Sequence, residues 1–249
     1  LLLPALSRSK FKAHQVTCLG NVRQLNYAAF VYDQDQNKGL PGTWADAFWV
    51  RPFLRDQPAL RGVLHCPVAK ERRQTPVRID FDFDNELAKG RTGTAANCWW
   101  WQTPTVPLEE WTGSYAMNGY FSSKAPFPSQ FSDPVTYASY FRSLSAVEHP
   151  VTTPVFVDGA YPAVWPQPAS NVWYTADPFT GLGFAAPIAR HASRSPNDFP
   201  RFWPMDRPPP RPWAMNIAFA DGHAEAVKML ESLQLTWHRS YVPPTKLPW

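Results

Sequence analysis

Proline divides this chain into two unlike regions. Of its 28 prolines only Pro4 falls within residues 1–36, and the next is Pro41. Glycine follows suit, with Gly20 alone in that segment. Each proline inside a helix removes a backbone hydrogen bond and clashes with the preceding turn. A long helix is therefore expected at the N-terminus, and an all-helical bundle is not. Within it Phe11, Cys18, Val22, Leu25, Ala29 and Tyr32 recur at spacings of three, four and seven, the seam of an amphipathic helix. Arg8, Lys10, Lys12, Gln15, Arg23, Gln24 and Asn26 supply its polar surface. The helix is expected to end where Asp33–Gly39 runs into Leu40-Pro41-Gly42.

Beyond Gly42 the pattern is one of short extended runs between turns. Gly62–Cys66, Val77–Phe83, Gly113–Gly119, Pro154–Asp158 and Ala214–Ala220 read as strands. Asp221-Gly222 is a hairpin signal, with Ala224–Lys228 as the returning strand. Residues 130–147 read as helical, with Tyr140, Phe141 and Leu144 at helical spacing. Ser193–Pro212 reads as a Pro-rich loop. The fold class is α+β: a helix over residues 1–36 and a β-rich head over residues 37–249. Aromatic residues make up 15% of the chain and charged ones 18%, which excludes a disordered polymer.

The net charge of +4 comes from scattered residues with no basic run longer than Arg72-Arg73, so no nucleic-acid partner is expected. Gly-x-Ser-x-Gly, the P-loop, Gly-x-Gly-x-x-Gly and His-Glu-x-x-His are all absent, and Glu109-Glu110 alone does not make a glycosidase pair. The chain reads as a non-enzyme with no required cofactor. Calcium is the one cation left open. Asp33, Asp35 and Asn37 alternate oxygen donors, although Lys38 and Trp44 break the EF-hand pattern at its sixth and twelfth positions. Asp221 sits in a second polar cluster, Asp221-Gly-His223-Ala-Glu225. Asp80, Asp82, Asp84 and Glu86 alternate with Ile79, Phe81 and Phe83, which is a solvated strand face or a calcium site.

Three cysteines are present. Cys18, on the helix, reads as a small buried apolar residue. Cys66 and Cys98 form one disulfide if the chain is exported, or else remain two buried thiols. Of the 12 tryptophans, Trp99-Trp100-Trp101, Trp165, Trp173, Trp203 and Trp213 are either core packing or stacking platforms for sugars. The second option gives the alternative function, a secreted Trp-rich carbohydrate-binding module. Finally, Leu1–Leu6 is apolar and uncapped. It reads as the end of a longer apolar helix, or as a hydrophobic terminus tucked onto the head. By itself it is far short of the ~20 apolar residues that span a bilayer.

Leu1–Lys10, Cys18–Leu25 and Tyr32–Pro41 together resemble the type IV pilin-like proteins, in particular the G-type pseudopilins of type II secretion abundant in Verrucomicrobia and Planctomycetes. Gly113–Gly119, Pro154–Asp158, Asn216–Glu225 and Leu233–His238 are similar to that family's later landmarks. The family's apolar, N-methylated start with its glutamate is not among these residues. Its common motif has nine residues between a histidine and Asp-Gly, and this chain has Arg211 at that place; the nearest upstream histidine is His191, before the insertion-like Ser193–Pro212. The resemblance implies a pilin fold, a long N-terminal helix on an antiparallel sheet. It implies export through the inner membrane, where the subunit resides before assembly, and handling by secretion or pilus-assembly machinery. It also implies polymerisation with copies of itself into an extracellular or cell-surface filament. Leu1, Leu2, Leu3, Leu6 and Phe11 would then be filament-core contacts, with Pro4 a bend point.

Overall fold

A computed structural model of the chain describes residues 2–36, 39–42, 48–69, 98–102, 109–123, 137–159, 161–166, 187–191, 214–243 and 245. Residues Val77–Phe83, the Asp80–Glu86 ladder, Asn37, Trp173, Trp203, Trp213 and Ser193–Pro212 lie outside them, as do Leu1 and the side chains of Leu2, Leu3 and Pro4.

The N-terminal helix, α1, runs unbroken over Leu2–Gln36. Pro4 falls in its first turn, where the missing N–H breaks no intrahelical bond. Gly39 takes φ +74°, a conformation that glycine adopts without strain, and the chain leaves the helix there. A second helix, α2, spans Val50–Asp56 and leads into a 3₁₀ turn over Pro58–Val63.

Seven strands follow: β1 (Trp99–Gln102), β2 (Glu110–Gly113), β3 (Tyr115–Asn118), β4 (Pro154–Asp158), β5 (Ala163–Val164), β6 (Ala214–Phe219) and β7 (Ala224–Lys228). β1 and β2 pair as an antiparallel ribbon; the other five form one sheet in the order β5-β3-β4-β6-β7. The sheet is antiparallel except at its edge, where the two-residue β5 runs parallel to β3. The α+β class therefore stands, with a mixed rather than a purely antiparallel sheet.

Strands β3, β4 and β6 are buried throughout their length. Burial on both faces explains why they read as continuous apolar runs instead of alternating ones. Tyr115, Met117, Phe156 and Ala218 join α1, α2, Trp99 and Trp101 in one core. Ala116, Val157, Met215, Ile217 and Phe219 face the other way, onto Met229, Leu233, Trp237 and Tyr241 of the C-terminal segment. A register shift between Pro154 and Phe156 turns Val155 to the same core as Phe156. The sheet is thus a middle layer between the helices and the C-terminal segment.

Two sequence expectations fail locally. Gly62–Cys66 is not a strand: the Pro58–Val63 turn runs into bends at Leu64 and His65. Proline at the first position of that turn is compatible with helical φ, and Leu60 anchors it in the core. Residues 137–147 contain two isolated 3₁₀ turns, Tyr137–Ser139 and Leu144–Ala146, and no α-helix. Ser143 caps the second by accepting from the Ser145 N–H at 3.2 Å, a local bond that competes with helix continuation.

Candidate functional site

The helix α1 is held along one part of its length and free along another. Cys18, Val22, Leu25 and Ala29 of its seam are fully buried, while Phe11 and Tyr32 at its ends are half-buried. Burying Val22 and Leu25 stabilises the contact by about 1.5–3 kcal/mol each. Polar groups fix the register of that contact. Asn21 donates to the His65 carbonyl at 3.0 Å and to the Tyr115 hydroxyl at 3.3 Å. Asn26, expected on the polar surface, is instead buried and donates to the Phe219 carbonyl at 2.8 Å. Asp33 is buried as well: one carboxylate oxygen accepts from the Ser143 hydroxyl and from the Leu144 N–H, both at 3.0 Å.

A disulfide joins Cys18 to Cys66, with Cα atoms 5.1 Å apart. This corrects the expected Cys66–Cys98 pairing and the reading of Cys18 as an unbonded residue. α1 crosses directly over the bend at Cys66, a proximity that spacing along the chain does not reveal. Cys98 is buried and outside the disulfide, donating to the Ala69 carbonyl at 3.4 Å beside the Ser114 hydroxyl at 3.3 Å.

Toward its N-terminus the same helix leaves the body. Ala5, Leu6, Ser9, Lys10, Lys12, Ala13, Val16 and Thr17 are exposed, Leu6 at 67% and Val16 at 69%. Of the expected filament contacts, Leu6 is therefore uncovered. Phe11 rests partly on its own head, its ring 6.3 Å from that of His191. Tyr27 and Val31, 52% and 51% exposed, continue the outward face over the clamped half. At 100° per residue Val16, Tyr27 and Val31 lie within about 60° of one another around the axis. No described helix is long and apolar enough to cross a membrane.

Under α1, next to the disulfide, lies a buried cluster of ionisable groups. Asp158, at the end of β4, accepts the Asn216 N–H at 2.7 Å and lies 3.4 Å from His191 Nε2. Its other oxygen is 3.9 Å from Arg190 Nε, and Arg190 donates to the Gly159 carbonyl at 2.6 Å. Asp158, Arg190 and His191 are all completely buried. Burial pushes the Asp158 carboxyl up to about 7 against the pull of Arg190 and the Asn216 N–H. Burial also pushes His191 down to about 3, with Arg190 and His14 adding to the effect, so its imidazole is neutral. For Arg190, burial lowers the pKa while Asp158 raises it; the guanidinium stays charged. The pair thus balances charge inside the core.

His191 is placed there by the backbone. It exchanges both hydrogen bonds with Ala214, at 3.0 and 2.7 Å, so the chain leaves at residue 191 and returns at residue 214 beside its exit point. This pairing docks Arg190-His191 against β6. The sequence singled out His191 only as the nearest histidine before Asp-Gly; Arg190 and Asp158 carried no motif that would have marked them.

The calcium candidates do not converge. Asp33 caps the Leu144 turn, Asp35 is exposed, and Asp221 is bound to His223, whose Nδ1 lies 2.6 Å away. Among the described residues the one trio of metal-capable side chains is Cys18, Cys66 and His191, which includes none of them. Trp99, Trp100, Trp101 and Trp165 are core residues, with Trp101 and Trp165 packed around Phe48 at ring distances of 5.5 and 5.9 Å. Glu109 is paired with Arg51 at 3.1 Å. Compared with family models, curated proteins and solved structures, the chain finds no match among any of the three.

Proposed function

We propose that this chain is a non-catalytic structural subunit with a pilin-type fold. It polymerises through its N-terminal helix into an extracellular pilus-like or pseudopilus filament. The observation that carries this reading is the division of α1. Its buried half is clamped by a disulfide and by Asn21, Asn26 and Asp33, while the turns before Phe11 lead away from the head with Leu6 exposed, and Val16 is exposed on the outward face. Residues 2–10 extend about 14 Å at 1.5 Å per residue. Exposed apolar residues on a rigid projecting helix are covered most simply by the same helices of neighbouring copies. A repeated head-to-tail contact that does not close generates a fibre. Tyr27 and Val31 would extend that contact along the outward face.

In this reading the partners are copies of the chain and the machinery that assembles them after export through the inner membrane. Calcium is retained only as an ion to be tested. The carbohydrate-binding alternative draws no support from Trp99, Trp100, Trp101 or Trp165, whose rings are covered by the core.

Negative-stain microscopy of the sheared surface fraction from cells producing the full-length protein provides the test. Helical fibres labelled by an antibody to the head are the expected result. Monodisperse particles that bind a polysaccharide would instead establish the alternative.

A further inference from the structure

Four side chains from separate parts of the sequence converge beneath α1. Cys18 comes from the helix, Cys66 from the bend after the Pro58–Val63 turn, Asp158 from the end of β4, and His191 from the strand-like exit before β6. The sulfur atoms of Cys18 and Cys66 and a ring nitrogen of His191 all lie within 4.8 Å of one another. His191 Nε2 is 3.7 Å from Cys66 Sγ and 3.4 Å from Asp158 Oδ2. A tetrahedral zinc ion, with bonds of about 2.0–2.3 Å, sets its donors roughly 3.3–3.8 Å apart. The 3.7 Å between His191 Nε2 and Cys66 Sγ falls in that range, and the two sulfurs are closer because they are bonded to each other.

We propose that Cys18, Cys66 and His191 form a binding site for one thiophilic divalent cation of the zinc type, opened by reduction of the Cys18–Cys66 disulfide, with the fourth position left to solvent. A two-electron reductant, such as a dithiol, breaks the S–S bond and leaves as its own disulfide, delivering two protons to the cysteine sulfurs. The cation then displaces those protons to solvent and binds two thiolates and the imidazole nitrogen.

Charge balance favours this donor set. In the disulfide form the Asp158 carboxylate offsets the Arg190 guanidinium. With the cation bound, two thiolates and one carboxylate meet a divalent ion and Arg190, and the sum is again zero. An uncompensated buried charge, which would be strongly unfavourable, arises in neither state. Asp158 Oδ1 and His191 Nδ1 are buried without a hydrogen-bond partner among the described residues, so the cluster is not saturated by the protein's own groups. Soft thiolates with imidazole select zinc-like ions over calcium or magnesium. The same place on α1 is thus held either by a covalent bond or by a metal. This inference does not depend on filament formation.

The test uses the purified full chain, reduced with a phosphine, desalted without oxygen, and titrated with cobalt(II) as the spectroscopic probe. Expected are one cobalt per reduced chain, a thiolate-to-cobalt charge-transfer band, tetrahedral visible absorption, and displacement of cobalt by zinc. The oxidised chain should show none of these. Cys98→Ser should titrate like the parent, whereas Cys18→Ser and His191→Ala should each lose at least tenfold in affinity. Equal uptake by oxidised and reduced chains, no uptake by the reduced chain, or unchanged affinity in His191→Ala would overturn the proposal. Circular dichroism accompanies the titration. If reduction melts the helix, zinc must restore it, and failure to do so counts equally against the site.

Discussion

Asn26, in the middle of α1, donates its side-chain N–H to the main-chain carbonyl of Phe219 at 2.8 Å, joining residues 193 positions apart. Phe219 ends β6, and its carbonyl also accepts the Gly222 N–H of the hairpin turn at 2.9 Å. The long helix and the hairpin next to Asp221-Gly222 are therefore fixed to each other at one buried oxygen. Replacing Asn26 by Leu removes one of two donors together with the unpartnered Asn26 Oδ1, and should cost about 1 kcal/mol. Asn26→Asp places a carboxylate against that carbonyl and should cost about 3 kcal/mol or more at neutral pH. Urea denaturation of the two variants checks the order; equal losses would refute it.

Removing the Cys18–Cys66 bond should loosen the whole clamp. The cysteines are separated by 48 positions. For a loop of that length the chain-entropy relation gives a loss of about 4 kcal/mol in the Cys18→Ser, Cys66→Ser double variant. Under denaturing, non-reducing conditions an alkylating reagent should label Cys98 alone, which peptide mapping reads directly.

Acid should destabilise the head. His238 is held down to about 4 by burial, and His191 to about 3. Between those values and about 6.5 the unfolded chain takes up protons that these two folded histidines do not, so stability falls as pH falls. Asp158, raised to about 7, works in the opposite direction: the folded state holds its proton more tightly, and stability falls as pH rises from about 4 to 7. Two histidines against one carboxyl leave a net slope of at most about 1.4 kcal/mol per pH unit, with stability increasing from pH 4 to 6.5. His238→Phe should leave His191 and Asp158 nearly cancelling, and thermal melts at several pH values should then show a flat profile.

Asp33 is a capping group in this structure, accepting the Leu144 N–H and the Ser143 hydroxyl. Asp33→Ala should lower stability by about 1–2 kcal/mol, and Asp33→Asn by less, because its amide oxygen still accepts. Calcium should leave the melting temperature of the parent unchanged. A rise that EDTA reverses would restore calcium as a ligand.

Assembly and stability should separate on α1. Leu6→Glu and Val16→Glu change exposed positions and should alter the melting temperature little. If the exposed face of α1 drives polymerisation, both should abolish fibres.

The parts of this protein readable in one dimension are those governed by local chemistry. The scarcity of proline and the apolar spacing over residues 11–32 define α1, and Gly39 ends it. The apolar runs Pro154–Asp158 and Ala214–Phe219, with Asp221-Gly222 after them, define β4 and the β6–β7 hairpin. Where local signals were weak, at 62–66 and 137–147, proline geometry and side-chain capping produced turns instead. Pairings across long stretches of chain required the folded state. Cys18 found Cys66 rather than leaving it to Cys98, Asn26 went inward to reach a strand carbonyl, and Asp33 became a cap. The meeting of Asp158, Arg190 and His191 depends on how the chain returns at Ala214. Periodicity records which face of an element is buried. It does not record what lies against that face, and a buried polar or sulfur atom takes its role from its neighbour.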